Sequence, residues 1–516
     1  MRKIKDWLLY PYTNCLIFTI LICVLYSSGT MWGQLKSGCY AYSAYLAMMY
    51  YVFAYLISLI VATFKRFAGI LKPFFVIVFS IYFIANIFCI RTFNLAITPD
   101  IVSIVRETNF EESKEFLQTY IGIKELLFAL LFGVIVWAVM KLDKIVSRSA
   151  DTYIQTYIHT YAPPFAIFIL ILSFLALCRN NKMISEEFDH GTHWVFKVDE
   201  VIDLSIHKTN PEICEIDSVH PAKVVILLGE SFSKTHSSLY GYDMPTNPCL
   251  EKLQSDSSLV IFENVTSPST FTTDAFKYIL NEYKKDCKDK DSKWYDSTTI
   301  IEAMSKAGYY TMWISNQNAK GMFDNLASGY SRLCEKSYFN PCNGEDKCDD
   351  YLLTIDTDTA TTAHNKCLIF YHFMGQHEMF EKRFPKSFKH FTAKDYENRP
   401  ENQRQVLADY DNATLFNDYV VGEIINSHKE DDAIIIYFPD HSIDVFDTDN
   451  DFFGHARNDI KSIEHCKQIP FMVYVSPSLN RKAPNIKKNL MMEKDKAMCT
   501  DNLFDFVLRI AGYAKQ

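Results

Sequence analysis

Five apolar stretches crowd the first third of this 516-residue chain, and they constrain what it can fold into more than any other feature. They run from Leu8 to Tyr26, Tyr45 to Phe64, Pro73 to Ile90, Ile123 to Leu142 and Pro164 to Leu177. A helix needs about 20 mostly apolar residues to cross a hydrocarbon core, so each reaches or approaches a span, the last borrowing from Tyr157 onward. Arg2, Lys3 and Lys5 ahead of the first stretch would also suit a secretory signal peptide, but no small-residue cleavage site follows and further spans do. The first stretch is therefore expected to remain as an anchor.

Orientation follows from the basic residues in the short connections. Lys65, Arg66 and Lys72 follow the second stretch, and Lys141, Lys144 and Arg148 the fourth, which puts those loops on the cytoplasmic side. With five spans the amino terminus lies inside and everything after Arg179 outside. The net charge of -9 belongs mostly to that outer part and argues against a nucleic-acid partner, whose binders present a basic patch. Nine cysteines lie beyond the last span, in a compartment where disulfides persist, and only Cys342 and Cys348 in "CNGEDKC" are close enough in sequence to suggest a pair. Cys367 in "CLIFYHF" reads as a small buried hydrophobe.

Residues 1–178 are thus expected to form a five-span membrane domain, with an outer helical loop near 91–122 that packs against the soluble part. Residues 179–222 are polar and irregular and read as a linker. From residue 223 to 516 the pattern changes to short β-branched runs, "KVVILLGE", "CLIFYHFMGQH" and "DDAIIIYFPDH". Each fits a strand buried on both faces of a parallel sheet. Helix-like segments such as "STTIIEAMSKAGY" and "YDNATLFNDYVVGEIINSH" lie between them, which gives an α/β layered fold.

Each of the three runs ends in residues able to hold a metal or a phosphate: Glu230, then His372 and His377, then Asp440 and His441. In open α/β sheets, ligands collect at the carboxyl ends of strands. One such ending is ordinarily a cap or a solvated side chain; three converging ones argue for a site. Zinc takes carboxylate and imidazole ligands and, when catalytic, keeps a place for a reacting oxygen, which suits Glu230, Asp440 and His441. A nucleophile is the remaining requirement, and "ENVTSPSTFTTDAFKYIL" offers Thr266, Ser267, Ser269, Thr270, Thr272 and Thr273. Residue chemistry does not choose among them. Threonine needs a base or a metal to become nucleophilic, and one at the start of a helix would also set helix amides near an incoming phosphate. The acids Asp444, Asp447, Asp449 and Asp451, which follow the third run, read as solvated or structural.

These motifs resemble the membrane phosphoethanolamine transferases of Gram-negative bacteria, including those that modify lipid A and confer polymyxin resistance, in the alkaline phosphatase and sulfatase superfamily. "VVILLGESFSKTHSSLYGYDMPTNP" resembles the family's opening strand, whose Gly-Glu glutamate binds zinc, and this implies Glu230. "NVTSPSTFTT" resembles its Asn-Val-Thr-Ser segment, whose catalytic threonine, also a zinc ligand, lies eight residues after the asparagine; counting from Asn264 selects Thr272, with Thr270 and Thr273 behind it. Pro268 stands where the lipid A subgroup has a disulfide-bonded cysteine. "NQNAKGMFDNL" implies Lys320 as a phosphate contact, and "YHFMGQHEMFEKRFP" implies His372 near the site and His377 at substrate or a second zinc, a role that His455 shares. "RETNFEESKEF" matches the substrate-side Thr108 and Glu112, although Ile104 replaces the family's asparagine.

The resemblance implies a five-helix transmembrane domain followed by an alkaline-phosphatase-like α/β/α sandwich in the periplasm, anchored in the bacterial inner membrane and acting as a monomer. It implies one tightly bound zinc, or two. It further implies transfer of phosphoethanolamine from phosphatidylethanolamine to a lipopolysaccharide acceptor, lipid A or core sugar, through a phospho-threonine intermediate, with release of diacylglycerol. A glycerol phosphate transferase of lipoteichoic-acid-synthase type shares topology, metal and threonine, and a non-catalytic membrane sensor with a degenerate enzyme domain is the alternative of another class. A sulfatase needs a Cys/Ser-x-Pro-x-Arg context, which "SPSTFTT" lacks.

Overall fold

The computed structural model describes Trp7, Tyr10 and residues 14–36, 40–97, 110–149, 210–286, 294–319, 326–341, 348–357, 362–449 and 451–516. It divides into two compact units, Met1–Val102 with Tyr120–Val195, and Ser103–Thr119 with Phe196–Gln516. The fifth expected span, from Pro164 to Leu177, and most of the expected linker lie outside the described residues.

In the first unit, apolar sequence becomes helix: α1 (Leu16–Lys36), α2 (Tyr40–Thr63) and α3 (Ala68–Phe93). α4 (Phe110–Tyr120), which belongs to the second unit up to Thr119, precedes α5 (Ile123–Ser149) of the first. Among the described residues, three helices are long and apolar enough to cross a membrane, covering Leu46–Thr63, Lys65–Phe93 and Ile123–Ile145, with Leu16–Ser28 a shorter apolar helix. Cys15, Phe18, Ile22, Ala54, Val61 and Val76 pack into one cluster. Ionisable side chains in such helices persist only when paired, and here Lys72 Nζ meets Asp143 Oδ2 at 2.7 Å while Asp143 Oδ1 accepts from the Phe18 amide at 3.1 Å.

The second unit is built on a seven-stranded sheet. Its strands are β1 (Lys223–Gly229), β2 (Leu259–Phe262), β3 (Tyr310–Ser315), β4 (Lys336–Phe339), β5 (Cys367–His372), β6 (Ala433–Pro439) and β7 (Phe471–Val475), in the spatial order β2-β7-β6-β1-β5-β3-β4. The three runs singled out by sequence are the three adjacent central strands, all parallel, with Val225 opposite both Ile369 and Ile435. Their ends are therefore neighbours in space. β7 runs antiparallel to β2 and β6.

Strand alternation sorts the core into two layers. Val224, Ile226 and Leu228 face one side with Phe276, Ile301 and Phe504, carried by α7 (Thr272–Ile279), α8 (Ile300–Lys306) and α10 (Leu503–Ile510). Val225 and Leu227 face the other, with Leu250, Phe416 and Val420 from α6 (Pro248–Ser255) and α9 (Glu401–Ser427). Sequence chemistry fixes the helix ends. Thr299 and Glu302 form a reciprocal capping box at the start of α8, and Gly308, with φ +87°, takes the left-handed turn that follows it. The result is an α/β sandwich with all three site-bearing strand ends at one edge.

Candidate active site

Glu230 leaves the end of β1, and Asp440 and His441 leave the end of β6. One ligand atom from each lies within 4.8 Å of the others, and all three residues are buried. His441 Nε2 is 3.6 Å from Glu230 Oε1 and 3.5 Å from Asp440 Oδ2. Thr272 opens α7, and its Oγ1 lies 3.3 Å from Glu230 Oε2 and 3.2 Å from His441 Nε2. The structure thus brings together Glu230, Thr272, Asp440 and His441.

The surroundings fix the chemical state of each group. His441 Nδ1 sits 3.0 Å from the Ser442 carbonyl, which only accepts, so Nδ1 carries the proton and Nε2 presents a lone pair to the cluster. Burial also lowers the His441 pKa, keeping the ring neutral. Burial, reinforced by Asp440, pushes Glu230 up to about 8, and burial pushes Asp440 up to about 7. Asp440 Oδ1 accepts from the His441 amide at 2.8 Å, whereas Oδ2 is a buried acceptor without a hydrogen bond. Two buried carboxylates, an imidazole lone pair and an unsatisfied acceptor form a donor set that a divalent cation satisfies.

Backbone geometry holds Glu230 in place. Ser231 takes φ +56°, a conformation costing a residue with a Cβ roughly 1–2 kcal/mol. Its hydroxyl donates to Glu230 Oε1 at 2.7 Å, and its carbonyl accepts from Tyr410 at 2.9 Å. Gly375, at φ +53°, lies directly against Glu230: a Cβ there would stand 2.6 Å from the Glu230 carbonyl oxygen and 2.9 Å from its nitrogen. Asp349 pins this loop, its carboxylate accepting from the amides of Met374 and Gly375, each at 2.8 Å. Gly375→Ala therefore meets both a disfavoured φ and a backbone clash, and should destabilise the protein by about 2–4 kcal/mol while weakening metal binding. Denaturant unfolding and metal titration of the variant check this; parental values in both would refute the close-approach account.

Around the cluster stand two more histidines. His455 stacks on His441, ring centroids 4.3 Å apart, and its Nδ1 donates to the Thr270 carbonyl at 2.7 Å, leaving Nε2 as a lone pair. Burial, Arg383 and His441 push His377 down to about 3, and burial with His441 drives His455 well below its usual value. His372 has different company. It shares its strand face with Leu368 and Phe370, its Nδ1 is 3.0 Å from Ser315 Oγ, and Phe276 and Trp313 flank the ring. Lys320, Thr108 and Cys342 lie outside the described residues, as does the side chain of Glu112.

Sequence reasoning reads the acids after the third run as solvated or structural, and the structure divides them. Asp444 is buried, with its carboxylate accepting from the Asp447 and Thr448 amides, and Asp447 bridges His236 and His465. Burial alone would lower His236, but Asp411 and Asp447 outweigh it and push the imidazole up to about 10. Asp449 pairs with Arg457 at the surface. Nothing in the acid-rich run distinguishes these fates except the nearby Thr448 and the distant histidines.

Residues 222–513, more than half of the chain, match the family model described as Sulfatase. The chain belongs to the sulfatase family. Among its relatives, the phosphoethanolamine transferase EptC of Escherichia coli strain K12 is 24% identical over 415 residues, covering 73% of this chain and 69% of its own length. EptA of Helicobacter pylori, also named a phosphoethanolamine transferase, is 25% identical over 428 residues, covering 79% and 76%. The crystal structure of the C-terminal periplasmic domain of E. coli EptC, in complex with zinc, superposes with a TM-score of 0.53 at 25% identity, covering 59% of this chain and 86% of that one. The integral membrane protein EptA of Neisseria meningitidis shares the fold over 97% of this chain and 96% of its own, with a TM-score of 0.62 at 16% identity.

Proposed function

We propose that this family member is a membrane-anchored, zinc-dependent phosphoethanolamine transferase that takes its donor group from phosphatidylethanolamine and passes it to lipid A or core sugar of lipopolysaccharide. The observation that carries this reading is the hydroxyl of Thr272, at the head of a helix and within hydrogen-bonding distance of Glu230 and His441 of a buried ligand cluster. The names of the relatives supply the transferred group, and the zinc complex of E. coli EptC supplies the metal.

Glu230, Asp440 and His441, together with Thr272, would hold the zinc. Bound there, it supplies a Lewis acid against the charge that develops on phosphoryl oxygens. The chain's own residues do the rest. Thr272 Oγ1 gives up its proton and bonds to phosphorus in line with the diacylglycerol oxygen. That P–O bond breaks, diacylglycerol leaves with a proton, and phosphoethanolamine remains on Thr272. An acceptor oxygen then attacks the same phosphorus, loses its proton and displaces Thr272. The backbone amides at the start of α7 would face the phosphate, and the reading assigns Lys320 to the same oxygens. His377 and His455, kept neutral by burial, bring lone pairs rather than positive charge, which suits a proton acceptor for the incoming group or ligands for a second zinc. Thr108 and Glu112 would meet the donor headgroup.

Five spans, with the amino terminus in the cytoplasm and the catalytic unit in the periplasm, would bring the site to the outer headgroups of the inner membrane, and a monomer suffices for this chemistry. Expression in a host stripped of its own transferases tests the reading. Mass spectrometry of envelope fractions should find phosphoethanolamine added to lipopolysaccharide; a glycerol phosphate adduct, or none, would refute it.

A further inference from the structure

Arg383 is a fully buried guanidinium among the described residues, 2% exposed, and it sits outside the ligand cluster. Its Nε donates to the carbonyls of His377 and Glu378, each at 3.2 Å, and one terminal nitrogen donates to the Glu378 carbonyl at 2.7 Å. The same nitrogen meets Glu115 Oε2 at 2.5 Å, and Lys382 reaches the other Glu115 oxygen at 3.5 Å. Glu115 is itself 4% exposed and belongs to α4, 268 residues away in sequence. One turn further along, Thr119 donates to Met379 Sδ at 3.4 Å, and Met379 holds φ +62°.

We propose that Glu115 is a positioning residue for the lipid donor. Through Arg383 it locks the backbone at His377, and from the same carboxylate it fixes the helix whose preceding turn carries Glu112. Apolar residues of similar volume would bind the helix as firmly as a buried ion pair does, but they would not set its register. A guanidinium forked between two carbonyls and a carboxylate sets distance and orientation at once. Glu112, assigned to the donor headgroup, and His377, assigned to the incoming group or a second zinc, thus share one anchor, an inference that rests on the transferase reading.

The consequence is a split between binding and turnover. Glu115→Gln in the full chain, assayed in mixed micelles containing phosphatidylethanolamine, should raise KM for the donor by about tenfold or more and change kcat by about twofold at most. Adding Glu115→Gln to Arg383→Ala should raise KM no further than Arg383→Ala alone, because both remove the same anchor. If Glu115→Gln does not accumulate as folded protein, Glu115→Asp withdraws the charge by one methylene and gives the same readout. A role confined to stability would lower kcat at parental KM by reducing the folded fraction, and that result, or no change in either constant, overturns the inference. If the parent itself transfers nothing from phosphatidylethanolamine, the transferase reading falls and the inference falls with it.

Discussion

Thr272→Ala should reduce phosphoethanolamine transfer by at least about three orders of magnitude and leave a folded protein that still binds zinc. The separation of effects follows from placement. The Thr272 side chain enters the cluster from the first residue of α7, while α7 itself is anchored by Ala275, Phe276 and Ile279 in the core. On the proposed reading, removing the hydroxyl deletes the attacking atom and one metal donor, but Glu230, Asp440 and His441 remain on strand ends that do not depend on it. In the parent, acid-quenched protein incubated with donor and no acceptor should carry one phosphoethanolamine on the peptide containing Thr272. Parental transfer by the alanine variant, or the adduct on Thr270 or Thr273, would remove Thr272 from the role.

How far the sequence reveals this site depends on what each residue's neighbours had to be. A strand buried on both faces must be apolar throughout, so β1, β5 and β6 stand out as β-branched runs, and their polar endings are conspicuous. Sheet order is not written in such a run. The endings converge because these three strands are adjacent, and the antiparallel direction of β7 leaves no trace in "FMVYV". Side-chain direction at the end of a strand is equally hidden: the sequence sets His372 near the site, and only the fold shows its ring between Phe276 and Trp313, on the strand face of Leu368 and Phe370. Among the hydroxyls near Asn264, residue chemistry left the choice open, and geometry puts Thr272 Oγ1 beside Glu230 and His441. Supports built from distant partners escape altogether. Glu115 is one acid in "EESKE", and only the fold shows that it meets Arg383; Asp444 and Asp447 look like their solvated neighbours until the chain closes over them.

Removing the metal should make stability fall as pH rises, and restoring zinc should reverse this most strongly at the alkaline end. Burial raises both Glu230, to about 8, and Asp440, to about 7, above their ordinary values of 4.5 and 3.8. Between those limits the folded, metal-free protein holds protons that the unfolded chain has released, so each increment of pH favours unfolding. A divalent cation replaces the protons and requires the carboxylates ionised, so protons compete with it strongly at pH 5.5 and far less at pH 8. A ligand present at a thousandfold excess over its Kd stabilises the folded state by about 4 kcal/mol, or about 8 °C in Tm for a domain of this size. Chelator-treated protein should therefore show Tm declining from pH 5.5 to 8, with a zinc-induced rise approaching that size at pH 8 and much smaller at pH 5.5. Glu230→Gln should flatten the metal-free decline, because an amide holds no titrating proton, and should lose most of the zinc-induced rise, because a ligand is gone. Equal zinc shifts at the two pH values, or a parental shift in Glu230→Gln, would show that the ion binds elsewhere.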